Sequence, residues 1–151
     1  MNETKQPEPD LSGIHLWLLL WKASRAVEAH STRSIARFDM GVSDFGVLEA
    51  LLHKGPLTVK QLGEKVLLTS GSMTAAVDRL IKRGLVTRCD DENDRRARII
   101  KLTDTGKELI SEAFTQHRLA MDGAISGFSQ QERVKLLPLL RRLGRVAEQN
   151  L

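Results

Sequence analysis

The sequence predicts a mainly α-helical fold with one small β-hairpin. Apolar residues recur at helical spacing along most of the 151 residues. Within residues 59–84, two short helical segments are separated by a tight turn, and two strand-like segments follow them directly. Two helices joined by a turn and followed by a hairpin make a winged helix-turn-helix lobe. Such a lobe does not need the remaining helices, and we expect these to serve assembly.

The first predicted helix spans residues 11–38 and follows a tail, residues 1–10, that contains Pro, Glu and Gln. Trp17, Leu19 and Leu20 give this helix more apolar surface than one intramolecular neighbour would cover. Surplus apolar surface in a small protein favours a subunit interface, and burial inside one long core would account for it equally well.

The second and third helices are predicted from their caps. Ser43 is the expected N-cap of the second helix, which the Gly55-Pro56 pair ends. Thr58 and Gln61 have the spacing of a capping box at the start of the third helix. The link between these two helices is expected to be extended and two residues long.

The fourth helix, residues 69–84, is the segment that says most about function. Met73, Val77 and Leu80 belong to its apolar stripe, and Gly84 is placed to end it. Its opposite face carries mainly small and hydrogen-bonding side chains: Ser70, Ser72, Thr74, Ala75, Asp78 and Arg79. A face of such low profile can approach another surface closely, although an ordinary solvated helix face would look the same.

Basic charge is concentrated around this helix. Residues 54–107 hold 12 Lys and Arg against 7 Asp and Glu, which gives this segment a net charge of +5. The whole chain has a formal net charge of +4, so the remaining residues together carry −1. The second arm of the predicted hairpin begins with three arginines in four residues, Arg95, Arg96 and Arg98. Such an excess favours a polyanionic partner, although most basic surface patches are simply solvated.

Two long helices are predicted after the hairpin. Thr103 is the expected N-cap of the fifth helix, and Ser129 with Glu132 forms a capping box at the start of the sixth. Leu137 and Leu140 lie on the apolar stripe of the sixth helix. The predicted domains are a mobile tail (residues 1–10), a helical dimerisation region (11–40 and 104–151) and the winged helix-turn-helix lobe (41–103).

Together these motifs resemble the MarR family of bacterial winged-helix regulators. The resemblance rests on SGSMTAAVDRLIKRGLV in the fourth helix, DRR in the hairpin and LTDTGKEL at the start of the fifth helix. It implies a homodimer in which the first, fifth and sixth helices join two winged lobes on palindromic double-stranded DNA. It also implies control of transcription, usually repression.

The resemblance implies roles for individual residues as well. Arg96 corresponds to a wing-tip residue in the minor groove, and Asp94 to the residue that orients it. The fourth helix corresponds to the recognition helix in the major groove, where Arg can pair with guanine edges and hydroxyls can bond phosphates or bases. The complete set of predicted DNA contacts is Thr58, Lys60, Gln61, Ser70, Ser72, Thr74, Ala75, Arg79, Asp94, Arg95 and Arg96.

A small aromatic effector is also expected. The stretch FGVLEALLHKG with LGEKVLLTSGS is similar to family members that respond to phenolic or quinone-like compounds. In the family, such ligands lie between the dimer-forming helices and the DNA-binding lobe. The candidate lining residues are His15, Trp17, Trp21 and Phe45, with ordinary core packing as the alternative.

Other chemistry finds little support in the sequence. The four histidines lack close metal-ligand spacing, and there is no nucleophile–base set or Gly-rich phosphate loop. We therefore predict no metal, no cofactor and no enzymatic activity. Cys89 is the one cysteine, which excludes an intrachain disulfide and favours a cytoplasmic location. The longest apolar run, residues 16–21, is too short to span a membrane.

Three alternatives remain open at this point. The first is a metal-responsive regulator of the same fold, and the second is a redox-responsive one that uses Cys89. The third is a winged-helix module that binds another protein.

Overall fold

The computed structural model describes residues 10–66, 70–90 and 98–151. Six helices and three short strands lie within these ranges. They are α1 (Gly13–Ala36), α2 (Val42–Lys54), β1 (Leu57–Thr58), α3 (Val59–Val66), α4 (Ser70–Lys82), β2 (Val86–Asp90), β3 (Arg98–Leu102), α5 (Asp104–Ala124) and α6 (Gln130–Gln149). The predicted fold class, mainly α with a small hairpin, is confirmed.

Side-chain caps fix where several helices begin. The Thr103 hydroxyl accepts a hydrogen bond from the Gly106 amide at the start of α5, and Ser129 with Glu132 forms a complete capping box at α6. The expected capping box of α3 is confirmed too: Thr58 Oγ1 accepts from the Gln61 amide, and Gln61 Oε1 accepts from the Thr58 amide. Each cap satisfies backbone donors that the first helical turn leaves without intrahelical partners.

The predicted N-cap of α2 is wrong by two residues. Helix α2 begins at Val42, and Gly41 is its N-cap, in an extended conformation and without a side-chain cap hydrogen bond. Ser43 lies inside the first turn instead. The Phe45 amide donates to the Gly41 carbonyl, so the helical hydrogen bonds begin at Gly41, two residues ahead of the predicted cap.

The strands form a three-stranded antiparallel sheet in the order β1-β3-β2. The sequence predicted the β2–β3 hairpin, but it gave the link before α3 no partner. That link is β1, which pairs with the middle of β3 in the register Leu57↔Ile100. The pairing attaches the start of α3 to the sheet, so the helix-turn-helix and the hairpin form one packed lobe.

The hydrophobic core lies inside this lobe and is mainly aliphatic, as the low aromatic content requires. It includes Leu48, Leu62, Met73, Leu80 and Ile100, all of which are fully buried. The predicted stripe of α4 accordingly faces inward. The core continues onto α5 through Ile110, which the sequence analysis did not select, and Ala113.

The beginning of α5 is fastened to the chain that leaves α4. The Thr103 hydroxyl donates to the Gly84 carbonyl over 2.7 Å, and the Thr103 amide donates to the Leu85 carbonyl over 3.1 Å. Gly84 ends α4 with a φ of 67°, a left-handed conformation that favours glycine. A Cβ on Gly106 would overlap the carbonyl oxygen of Leu85. This junction therefore holds α5 close against the end of α4.

Two helices leave much apolar surface uncovered in one chain. Trp17 and Trp21, in the first half of α1, are largely exposed. Helix α6 has no buried residue at all, and Leu137 and Leu140 on its apolar stripe are 54% and 42% exposed. In the described part of the chain, no helix is both long and apolar enough to cross a membrane.

Candidate nucleic-acid interface and effector cleft

The outer face of α4 has the low profile that the sequence predicted. Ser72, Thr74 and Ala75 are exposed there, and Ser70 is the first residue of the helix. The buried stripe of Met73, Ala76, Val77 and Leu80 fixes which side of α4 faces solvent. A helix with small side chains outward can enter the major groove of DNA, which is wide enough to admit an α-helix.

Arg79 on this face has an ion-pair partner that the sequence analysis did not identify. Its Nη2 donates to Asp44 Oδ1 over 2.6 Å, and its Nε lies 3.2 and 3.4 Å from the two carboxylate oxygens. The Asp44 side chain is only 8% exposed, whereas that of Arg79 is 52% exposed. The hydrogen bonds to Asp44, and next its charge, raise the pKa of the Arg79 guanidinium.

The neighbouring residue Asp78 forms its ion pair with a different element, strand β2. Its Oδ1 accepts a hydrogen bond of 3.0 Å from Arg88 Nη2 on strand β2. Ion pairs thus connect the second half of α4 to α2 through Arg79 and to the hairpin through Asp78. The orientation of the helix is supported by both neighbours in the lobe.

The first turn of α3 offers a second surface suited to phosphate. Lys60 and Gln61 are exposed, and Thr58 is half-buried immediately before the helix. The Thr58 hydroxyl accepts the capping hydrogen bond, which leaves its own proton to donate. Backbone amides at a helix N-terminus also favour a nearby anion.

An open cleft of about 510 Å³ lies between the end of α1, α2, the end of α3 and α5. Its lining combines an apolar side with charged and polar groups, and includes Ile35, Phe45, Glu49, His53, Lys65, Val66 and His117. The Phe45 and His117 rings pack with centroids 4.8 Å apart, and His53 meets Phe114 edge-on at the same distance. A cleft of this volume and mixed lining suits a small aromatic molecule.

The hydrogen bonds around Ser34 assign the tautomer of His117. Ser34 is buried, and its Oγ lies 2.7 Å from the Ser31 carbonyl and 2.8 Å from His117 Nδ1. The carbonyl can only accept, so the Ser34 hydroxyl donates to it and accepts from an Nδ1–H of His117. The neutral ring then carries an acceptor at Nε2 on a residue that lines the cleft.

Comparison with known proteins agrees with this geometry. The sequence pattern of the MarR family matches residues 38–97, the core of the winged lobe. The HTH-type transcriptional regulator MhqR of Bacillus subtilis (strain 168) is 34% identical over 136 residues, which cover 90% of this chain and 94% of MhqR. The chain belongs to the MarR family.

Solved structures share the fold of this MarR-family chain. A MarR mutant from E. coli complexed with operator DNA has a TM-score of 0.78 at 21% identity, covering 86% of this chain and 94% of that one. BpsR of Bordetella bronchiseptica, described with regulation of its DNA binding by 6-hydroxynicotinic acid, has a TM-score of 0.76 at 22% identity. That match covers 95% of this chain and 96% of BpsR.

The family and the relatives named above are DNA-binding transcriptional regulators, not enzymes. This chain is accordingly a winged helix-turn-helix transcriptional regulator of the MarR family.

The structure brings together part of the predicted DNA-contact set of this MarR-family protein. The outer face of α4 carries Ser72, Thr74, Ala75 and Arg79. Ser70 is the first residue of that helix. Thr58, Lys60 and Gln61 gather at the start of α3. Three predicted contacts, Asp94, Arg95 and Arg96, lie outside the described residues. Arg98 begins β3, and its Nε lies 3.6 Å from Asp90 Oδ1 across the hairpin.

The four residues predicted to line a ligand site are not brought together within one chain. Phe45 is buried and borders the cleft. His15, Trp17 and Trp21 are exposed in the first half of α1 and do not line it. Sequence reasoning did not identify His117 as a neighbour of Phe45, because no local pattern connects residues so far apart in the chain.

Two further sequence expectations concern metal and redox chemistry. Among the residues that the structure describes, no group of three or more His, Cys, Asp or Glu is arranged to hold a metal ion. Cys89 lies half-buried on β2, with its Sγ 3.7 Å from the Ile99 carbonyl oxygen.

Proposed function

We propose that this MarR-family regulator is a homodimeric repressor that binds palindromic operator DNA and is released by a small phenolic or quinone-like effector. The observation that carries the DNA part is the exposed, low-profile face of α4, supported from behind by the buried stripe of the same helix. Its contact set is the one predicted from the sequence, with α4 in the major groove, the start of α3 on phosphate and Arg96 in the minor groove.

The uncovered apolar faces of α1 and α6 support a homodimer. In one chain, Trp17, Leu137 and Leu140 remain exposed on helices outside the lobe. A second copy would bury such surface, and a two-fold dimer would present two copies of α4 to the two halves of a palindrome. Residues 11–40 and 104–151 are the proposed dimerisation region, and residues 41–103 the proposed DNA-binding lobe.

The DNA-binding proposal is tested by selecting bound sequences from random duplexes, then titrating the selected operator at several salt concentrations. We expect a palindromic site and an affinity that falls by about 10³-fold or more between 50 and 200 mM salt, because several phosphate contacts release counterions. A protein-binding winged helix would select no operator. That outcome would overturn this proposal and favour a protein partner.

The cleft beside Phe45 and His117 supports a small aromatic effector. The apolar side of the cleft can pack against a ring, and Nε2 of His117 can accept a hydrogen bond from a phenolic hydroxyl. A ligand there would contact α1 and α5 as well as the lobe. It could therefore change how the two lobes are held relative to each other.

The effector proposal is tested by adding phenols, hydroquinones and non-aromatic anions to the preformed operator complex. We expect aromatic hydroxyl compounds to release the protein, and His117→Ala to raise the effector concentration that release requires while DNA affinity without effector is retained. His30→Ala is the matched control, since His30 is exposed on α1 and does not line the cleft. Equal responses of the two variants would remove His117 from the effector site.

A further inference from the structure

Asp44 combines burial with a charge-paired partner on the recognition helix. It lies in the first turn of α2, and its side chain is 8% exposed. Both carboxylate oxygens face the Arg79 guanidinium, at 2.6 to 3.4 Å. A carboxylate removed from water in this way is held in place by its surroundings, because α2 is packed into the core through Phe45, Val47 and Leu48.

The pairing uses one defined edge of the guanidinium. Asp44 accepts from Nε and Nη2, which form the side edge of the planar group. The end edge, formed by Nη1 and the second proton of Nη2, is not used by these bonds. That end edge has the two parallel donors that match O6 and N7 of guanine in the major groove. The Arg79 side chain is also half exposed, so a partner from outside the protein can reach it.

We propose that Asp44 is a positioning residue for base recognition: it holds Arg79 so that its end edge pairs with a guanine in each half-site. The proposal rests on the proposed function, in which the outer face of α4 enters the major groove. Asp44 itself would not touch DNA, because it is buried. It would determine the base preference at a position that it does not contact.

The physical gain comes from preorganisation. A free arginine side chain samples many rotamers, and ordering it on binding costs entropy. The bond to a fixed carboxylate orders Arg79 before DNA arrives and fixes the plane of the guanidinium. An ordered plane discriminates between bases, whereas a mobile cation would satisfy any nearby phosphate.

Asp78 does not compete for this role, although it precedes Arg79 in the sequence. Its carboxylate is bonded to Arg88 of β2 at 3.0 Å, while Arg79 is bonded to α2. Asp78 is also half exposed, so it lacks the rigid, water-poor setting that holds Asp44.

The test compares the affinity of the protein for two duplexes: a selected operator, and the same operator in which one guanine is replaced by 7-deazaguanine. The replaced guanine is the one that Arg79→Ala no longer distinguishes from other bases. The 7-deaza base keeps its Watson–Crick pairing but lacks the N7 acceptor. The parent protein is expected to prefer guanine by about tenfold, since the charge-assisted hydrogen bond to N7 is lost while the one to O6 remains. Asp44→Asn is expected to reduce that preference to less than threefold, because the neutral amide loses the attraction of the carboxylate charge and places an NH2 group where one of the two oxygens faces Arg79.

Two further variants separate positioning from charge and from folding. Asp44→Glu keeps the charge but moves the carboxylate by one methylene, and it should also lose most of the guanine preference. Asp90→Asn removes one negative charge from another arginine pair in the same lobe, and it should leave the preference at the parental value. Circular dichroism and the oligomeric state establish that each variant retains the parental fold.

Four results would overturn the proposal. If Asp44→Asn and Asp44→Glu keep the parental preference, Asp44 is purely structural. If Asp44→Asn binds all sequences more tightly with its preference intact, the carboxylate withholds Arg79 from DNA. If Arg79→Ala changes no base preference, Arg79 does not read a base and the positioning role of Asp44 is wrong. Specific DNA binding by the parent would still support the proposed function in that case. Absence of sequence-specific binding by the parent would reject both.

Discussion

Asp78 and Arg79 are neighbours of opposite charge, yet their side chains are bonded to different elements. Asp78 joins Arg88 of the hairpin, and Arg79 joins the buried Asp44 of α2. Counting charges along α4 would cancel the two residues against each other. The three-dimensional arrangement instead makes Arg79 an oriented donor on the outer face of the helix.

The capping box of α6 gives a pH-dependent prediction at the residue scale. Hydrogen bonds from the Ser129 hydroxyl, and next from its amide, lower the pKa of Glu132 below its ordinary value. Because the folded state holds the ionised form, this contribution to stability is present above the ordinary pKa of about 4.3 and is lost as the pH falls through the lowered value.

We expect the free energy of unfolding of Glu132→Gln to lie below that of the parent at pH 6 and to converge with it near pH 3. Urea titrations at both pH values, at one fixed protein concentration, measure this difference. A pKa of Glu132 at or above its ordinary value in an NMR titration would contradict the argument.

The wing arginines give a second prediction at this scale, which rests on the sequence because residues 94–96 lie outside the described ranges. The sequence predicts an extended hairpin arm through these residues, in which adjacent side chains would point to opposite faces, with Asp94 and Arg96 on one side and Arg95 on the other. We expect Arg96→Ala to weaken operator binding far more than Arg95→Ala does. Fluorescence anisotropy titrations at one salt concentration compare the two variants.

Asp94→Ala sharpens that comparison, because it removes a negative charge that repels phosphate. If Asp94 orients Arg96, the variant should lose part of the affinity that Arg96→Ala loses. Tighter binding than the parent would mean that the wing acts through its net charge alone.

At the scale of elements, the contact between the α4–β2 link and the start of α5 depends on a glycine. The first turn of α5 lies so close to Leu85 that a Cβ on Gly106 would overlap the Leu85 carbonyl oxygen. Gly106→Ala must push α5 away from the lobe or distort the Thr103 hydrogen bonds. We expect a loss of about 3 kcal/mol or more in the free energy of unfolding, measured by urea titration.

Gly63→Ala is the matched control for that substitution. Gly63 lies inside α3, and nothing approaches the position of its Cβ within 4 Å. Alanine there should raise stability by about 0.5–1 kcal/mol, since it restricts the unfolded chain and favours the helix. Similar effects of the two substitutions would show that the close approach at Gly106 is not important for stability.

At the scale of the whole molecule, α6 is the helix that gives the most direct test of the proposed dimer. Its capping box and apolar stripe favour a stable helix, yet none of its residues is buried. We expect the parent to sediment as a dimer at micromolar concentration and the double variant Leu137→Glu, Leu140→Glu to sediment as a monomer, because four charges would be buried in a symmetric interface.

Gln131→Glu adds a charge to the same helix at an exposed polar position and should remain dimeric. The double variant should also lose affinity for a palindrome while keeping the helical content of the lobe. A double variant that stays dimeric would place the interface elsewhere on the molecule.

The sequence by itself determined the helices, the hairpin, most caps and the inward face of α4. Each of these depends on interactions between residues a few positions apart, which periodicity and capping motifs report directly. Tertiary structure alone decided that the link before α3 is a strand, that Asp44 holds Arg79 and that Phe45 meets His117. These pairs join residues 35 to 72 positions apart in the chain. Their geometry follows from how the helices pack, and no local pattern in the chain encodes it.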